Sequence, residues 1–168
     1  MKKIALVLVI IVSWGCNQDK IGYVDTVRLM EKNNEKSELE AKYQDKSTSF
    51  NKRRDSISQA FQLEAQAIQA KAESMSQSKA QEEFDLLQQR GQFIGQQLQQ
   101  EEQILQQQGQ AEMDSLVQRV RRQIQDYGKA QGYTFILGGG DGGSVLYGVD
   151  AKDLTDEIIE VVNSSKKQ

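Results

Sequence analysis

The apolar positions of this chain fall at helical intervals over most of its length. Leu39, Tyr43, Phe50, Ile57, Phe61, Ile68, Ala72 and Met75 are separated by three, four or seven residues. The 36 residues from Leu39 to Met75 make ten turns at 3.6 residues per turn. A second stripe runs through Phe84, Leu87, Ile94, Leu98, Leu105, Met113, Leu116, Val120, Ile124 and Tyr127. Between the stripes lies Ser74-Met75-Ser76-Gln77-Ser78-Lys79. Serine favours caps and turns over helix interiors, so the chain is expected to reverse near 74–79. One continuous bent helix is the alternative. Each arm would hold about 50 residues and reach about 75 Å, giving an antiparallel helical hairpin. With Tyr43, Phe50 and Ile57 at the a position of a heptad, Lys46 and Arg53 fall at d. Such a seam is interrupted by charge and weaker than a full coiled coil. Gly91, Gly95 and Gly109 each lower helix stability by about 1 kcal/mol relative to Ala, so the second arm should flex.

The two ends of the chain read differently. Lys20 to Val24 is a short strand by its β-forming residues Ile21, Tyr23 and Val24. Asp25 or Thr26 then caps the first helix, which should run on to about residue 76. After Gly128 and Gly132 the period changes to two. Tyr133 to Leu137 reads as a strand, Ser144 to Gly148 as another, and the Gly-rich loop between them predicts a β-hairpin. Asp153 or Thr155 can cap a last helix from Asp156 to Val162. The fold class is therefore α+β, mainly α: a long helical hairpin on a small β-containing body. Residues 16–25 supply the first strand of that body, 26–131 the arms, and 132–168 the hairpin and last helix.

Residues 1–15 have a different character. Lys2 and Lys3 precede the unbroken apolar run from Ile4 to Val12. That run is shorter than the roughly 20 residues a membrane-spanning helix needs, and it matches the apolar region of a secretory signal. Ser13 and Gly15 are small residues where cleavage requires them, and Cys16 follows directly. Two outcomes stay open for Cys16. It is the lipidated residue of a lipoprotein, or it is a spectator beside an ordinary cleavage site. Ser13 and Trp14 depart from the usual pattern before a lipidated Cys.

Composition narrows the chemistry. The chain has 168 residues, with no His, no Pro and one Cys. Absence of His removes the commonest general base and metal ligand near neutral pH. One Cys builds neither an internal disulfide nor a zinc site. The formal charge of -3 becomes -5 once Lys2 and Lys3 are removed, which disfavours nucleic acid as a partner. Gly138-Gly139-Gly140-Asp141-Gly142-Gly143 matches G-x-G-x-x-G by letter, but a strand-like segment follows where a dinucleotide site needs a helix. Carboxylate pairs such as Glu82-Glu83 and Glu101-Glu102 fall on exposed helix faces and read as solvation. No enzyme activity, cofactor or metal is expected. Residues 60–110 hold three basic and seven acidic residues, so the tip end of the arms is acidic.

Both ends of the chain carry a resemblance. Lys20-Ile-Gly-Tyr-Val-Asp25 leads into a helix, and Gly132-Tyr-Thr-Phe-Ile-Leu137, Val145-Leu-Tyr147, Asp153-Leu-Thr-Asp-Glu-Ile-Ile159 and Asn163 follow the arms. These segments resemble the Skp/OmpH family of periplasmic outer-membrane-protein chaperones, in a lipoprotein-like variant. The resemblance implies a homotrimer whose pooled strands form a central body, with helical hairpins around a cavity that holds unfolded outer-membrane proteins. Ile21, Tyr23, Phe135, Leu137, Val145 and Tyr147 are the candidates for the trimer body. A body too small to bury its own core fits that pooling. Phe50, Phe61, Ile68, Met75, Phe84, Phe93 and Ile94 are the candidates for client contact, with hairpin packing as the alternative for each. The function this implies is an ATP-independent holdase in the periplasm, tethered to a membrane if Cys16 is lipidated. A structural coiled-coil envelope lipoprotein, acting as spacer or assembly partner, is the alternative. Some family members have strongly basic arms; this chain does not.

Overall fold

The computed structural model describes residues 19–164. The expected signal segment 1–15 and Cys16 lie outside the described residues. The elements in order are β1 (Ile21–Asp25), α1 (Thr26–Glu31), α2 (Asn34–Ala72), α3 (Gln77–Ala130), β2 (Phe135–Gly139), a 3-10 turn (Asp150–Lys152) and α4 (Thr155–Ser164). Contacts divide the chain into two units. One combines the N-terminal residues to Asn34 with Val117 onward, and the other is Glu35–Leu116.

The first unit is built on β1. Asp25 ends the strand and caps α1, its carboxylate accepting from Val27 and Arg28 N–H at 3.0 Å each. The predicted single helix from here to residue 76 does not form. It breaks at Lys32–Asn33, between α1 and α2. Asn163 provides the reason: its amide oxygen accepts from Asn34 N–H at 2.9 Å and its amide nitrogen donates to Lys32 C=O at 3.0 Å. A side chain some 130 positions away thus satisfies the backbone groups that the break frees.

The predicted β-hairpin is also corrected. β2 pairs with β1 in parallel, in the register Ile21 with Phe135 through Asp25 with Gly139. Parallel pairing needs a crossover connection, and the helices supply it. Past β2, Val145 N–H donates to Gly138 C=O at 3.1 Å, but 144–148 makes only an isolated bridge and no strand. The loop turns sharply at Gly140, where φ is +83° and any Cβ would fall 2.4 Å from the Asp25 carboxylate. The chain then runs over the Tyr23 ring, whose hydroxyl meets Gly148 C=O at 3.4 Å.

The other edge of β1 takes the segment before α4. Leu154 N–H donates to Tyr23 C=O at 2.8 Å. Asp25 N–H donates to the Thr155 hydroxyl at 2.8 Å, and Thr155 N–H donates to Asp153 at 2.9 Å. Val24, Leu29, Val120, Leu154, Ile158 and Val162 form this unit's buried core.

The second unit is the helical hairpin. Leu39, Phe50, Ile68 and Leu116 are buried in it. The reversal lies at 73–76, where Ser74 and Met75 N–H donate to Lys71 and Ala72 C=O. Ser76 then accepts from Lys79 N–H at 3.4 Å as α3 begins.

Candidate functional surfaces

The seam of the hairpin repeats every eleven residues. Leu39, Phe50, Phe61 and Ala72 follow that spacing on α2, as do Leu87, Leu98 and Gly109, and Ile94, Leu105 and Leu116, on α3. Eleven residues make three turns at about 3.67 residues per turn, so such a stripe runs almost along the helix axis. Ion pairs between the arms share the spacing. Lys42 pairs with Glu112 at 2.6 Å, Arg53 with Glu101, and Arg90 with Glu64 at 2.6 Å. Their α2 members are 42, 53 and 64, and their α3 members are 112, 101 and 90.

These charges flank the seam and do not interrupt it, contrary to the heptad expectation. The Arg53 guanidinium lies 5.7 Å from the Phe50 ring centroid, and Lys46 Nζ lies 4.9 Å from that of Tyr43. Both cations cover an aromatic edge of the seam. The Tyr43 hydroxyl donates to Glu112 at 2.7 Å, and its ring lies against Gly109. The amine of Lys42 and this hydroxyl hold the Glu112 carboxyl below its ordinary pKa. Desolvation and the bond to Glu112 raise that of Tyr43.

The seven arm candidates separate by exposure. Phe50, at 6% exposed, and Ile68 are buried in the seam and present no free surface. Phe61, Met75 and Ile94 are half-buried. Phe84 and Phe93 are exposed, Phe93 at 61%. Sequence reasoning missed Leu63, Leu86 and Ile104, which are also exposed. The available signal was helical phase. Leu86, Phe93 and Ile104 each precede a seam residue by one position and so stand about 100° from it.

Two shallow grooves border these residues. One, of about 550 Å³, is lined by Gln81, Glu82, Asp85, Leu86 and Gln89 among others. The second, of about 530 Å³, lies between the arms, with Phe50, Ile104 and Leu105 as its apolar floor and Lys46 and Arg53 on its rim.

In the first unit, the parallel register puts Ile21, Tyr23, Phe135 and Leu137 on one face of the sheet. Val24 and Ile136 share the opposite face, where Val24 is buried and Ile136 packs toward Gly128. Ile21, Phe135 and Leu137 are exposed, and so is Tyr147 at 85%. Tyr23 and Val145 are half-buried. Leu146, at 99% exposed, and Val149 extend the uncovered apolar surface and were not singled out from sequence.

The end of α3 is pinned on the other face of the sheet, where Gly128 meets Ile136 and Tyr133 lies against Gly22. The Tyr127 hydroxyl donates to Glu157 on α4, and its ring stacks on Tyr133 at 6.2 Å. Lys20 Nζ covers the Tyr133 ring at 4.0 Å. The bond to Glu157, aided by desolvation, pushes the Tyr127 pKa up to about 12. Among the described residues no cluster of His, Cys, Asp or Glu could hold a metal ion, and no helix is long and apolar enough to cross a membrane. The Gly138–Gly143 loop leads into a 3-10 turn, and the next α-helix starts only at Thr155.

Comparison with known proteins places this architecture. A family model described as outer membrane protein (OmpH-like) matches residues 20–162. A crystal structure from Caulobacter crescentus CB15, provisionally described as an outer membrane chaperone (OmpH-like), superposes with a TM-score of 0.77 at 17% identity. The match covers 90% of this chain and 88% of that one. No curated protein sequence matches.

Proposed function

Because the chain belongs to the OmpH-like outer membrane protein family, a family of chaperones, we propose that it is a holdase for unfolded outer-membrane proteins. It binds them without nucleotide and keeps them from aggregating. One observation carries this reading. The arms leave Leu63, Leu86, Phe93 and Ile104 exposed, whereas Phe50 and Ile68 of the seam are buried. Exposed large apolar residues along an otherwise polar hairpin offer many weak contacts to a chain that has not yet buried its own apolar surface.

The working assembly is a homotrimer. The uncovered sheet face of Ile21, Phe135 and Leu137, with Leu146 and Tyr147 close in sequence, supports this state. Copies of the first unit that meet through such a surface would bury it. The site of action is the periplasm. Cys16, by its place after the apolar leader, is the point of lipid attachment, and three acyl-bearing subunits would anchor jointly where one binds reversibly.

The test is dilution of a urea-denatured outer-membrane β-barrel into buffer with the purified mature protein, followed by light scattering. Suppressed scattering at one trimer per client is expected. Unchanged scattering, together with stable trimers and one fixed partner in pull-downs, would establish a spacer protein and end the holdase reading.

A further inference from the structure

We infer that the outward face of α3, through Leu86, Phe93 and Ile104, is where the arm grips an unfolded client segment, and that it selects segments in which apolar residues are joined by cations. This rests on the holdase reading.

The first argument is geometric. Phe93 and Ile104 are eleven residues apart, the spacing of the seam and of the three ion pairs between the arms. They therefore keep one face of the helix, and Leu86 joins it seven residues earlier. At 1.5 Å per residue the three side chains sit about 10 and 16 Å apart. All are more than half exposed, at 52%, 61% and 53%. Leu86 borders the 550 Å³ groove, Ile104 borders the 530 Å³ groove, and Phe93 lies between. The result is a broken apolar track along one face of α3, open at the Leu86 end and bordering the groove between the arms at Ile104, suited to an extended segment with apolar side chains at intervals.

The second argument is charge. From Gln77 to Gln110 the charged residues are Lys79, Arg90, Glu82, Glu83, Asp85, Glu101 and Glu102. Arg90 is held by Glu64, and Glu101 is held by Arg53. That leaves Lys79 against Glu82, Glu83, Asp85 and Glu102. Glu82 and Asp85 line the same groove as Leu86, so a segment seated there meets them within a Debye length of about 8 Å at physiological salt. A Lys or Arg beside the apolar anchor is attracted and an acidic residue is repelled. The same field disfavours two other occupants, an arm of a second copy and an anionic lipid surface, since both bring like charge.

The experiment uses the full mature protein and two fluorescein-labelled unfolded peptides of identical apolar sequence, one with Lys and the other with Glu at the intervening positions. Fluorescence anisotropy at physiological salt is expected to show the Lys peptide binding about tenfold tighter, as two or three exposed charge contacts allow. The E82Q/E83Q/D85N variant should reduce that ratio to near one while the Glu peptide binds no worse. The L86S/F93S/I104S variant should weaken both peptides at least fivefold with unchanged circular dichroism and unfolding midpoint. Equal binding of the two peptides by wild type would overturn the inference. So would wild-type affinity in the serine variant, or preferential capture of vesicles rich in anionic lipid. If wild type still suppresses client aggregation in any of these cases, the holdase reading stands and only the grip is wrong. If wild type binds neither peptide and protects no client, both fall.

Discussion

Thr155 offers the sharpest test of how the first unit is held together. It is 0% exposed and makes two bonds through one hydroxyl. The oxygen accepts from Asp25 N–H at 2.8 Å, and the proton goes to the Asp153 carboxylate. Those bonds tie the end of β1 to the start of α4. Thr155→Val keeps the volume and removes both. An orphaned buried N–H costs about 1–3 kcal/mol, and a lost bond to a carboxylate adds to that, partly offset by the extra methyl. A net loss of about 2–3 kcal/mol is expected, or roughly 4–12 °C in unfolding midpoint for a chain of this size. Thr155→Ser keeps the hydroxyl and deletes one buried methyl, costing about 1 kcal/mol. Thermal unfolding of the three proteins, at one protein concentration so that any self-association weighs equally on all, should give the order wild type, Ser, Val. Hydrogen exchange at the Asp25 amide should accelerate in the Val variant alone. A Val variant as stable as the Ser variant would refute the argument, since packing and not the hydroxyl would then be what the site needs.

Other residues give further tests. Phe50→Ala should cost about 3–5 kcal/mol because Phe50 fills the seam, whereas Phe93→Ala should stay within about 0.5 kcal/mol; urea denaturation of the two compares them directly. Asn163→Ala removes both side-chain bonds at the α1–α2 break, so exchange at the Asn34 amide should rise severalfold while amides in the middle of α3 stay unchanged. Tyr127 has a folded pKa of about 12, above its ordinary 10.0. Its bond to Glu157 therefore supports the fold fully below pH 10 and is lost as pH rises toward 12, and Glu157→Gln should bring the tyrosinate absorbance step back toward 10. Across α3, amides between residues 80 and 96 should exchange faster than those between 105 and 116, as read by mass spectrometry.

The long helices could be read from the chain because an amphipathic period is a local signal, repeated many times. β1, its Asp25 cap and α4 were readable within a residue or two for the same reason. Long-range facts were not. β2 runs directly into its Gly-rich loop, but its partner is β1, more than a hundred residues earlier. Nothing near Gly138–Gly143 announces that preference, so a hairpin was the natural local reading. The break at Lys32–Asn33 was hidden similarly, because the group that stabilises it is the side chain of Asn163. The arm register is a different case. Tyr43, Phe50 and Ile57 are seven apart and suggest a heptad, which places Arg53 inside the seam. Lys42, Arg53 and Glu64, eleven apart, together with Arg90, Glu101 and Glu112, spelled out the true period in plain sequence. That choice of period decides which side of α3 faces out. Ile68 was offered to clients as one apolar residue among several along the arms, with packing as its alternative, and Ile104 lay outside both stripes.

The eleven-residue register also bears on how such an arm could work. An arm that grips clients must stay in register while its surface adapts. Apolar burial in the seam is unevenly spread: no residue between Ile68 and Leu116 is buried. Yet the α3 partners of all three ion pairs, Arg90, Glu101 and Glu112, lie within that stretch. Exposed ion pairs of this kind contribute little to stability, commonly 0–1 kcal/mol each. They do specify which turn of α2 faces which turn of α3, because a slip of one residue breaks every pair at once. Thin burial along α3 lets the arms part locally at small cost, and periodic charge returns them to the same register. Gly91 and Gly95 lie in the same stretch, beside Phe93. They lower the helix propensity of α3 beside the exposed track, so the residues that weaken the helix and those that would hold a client coincide.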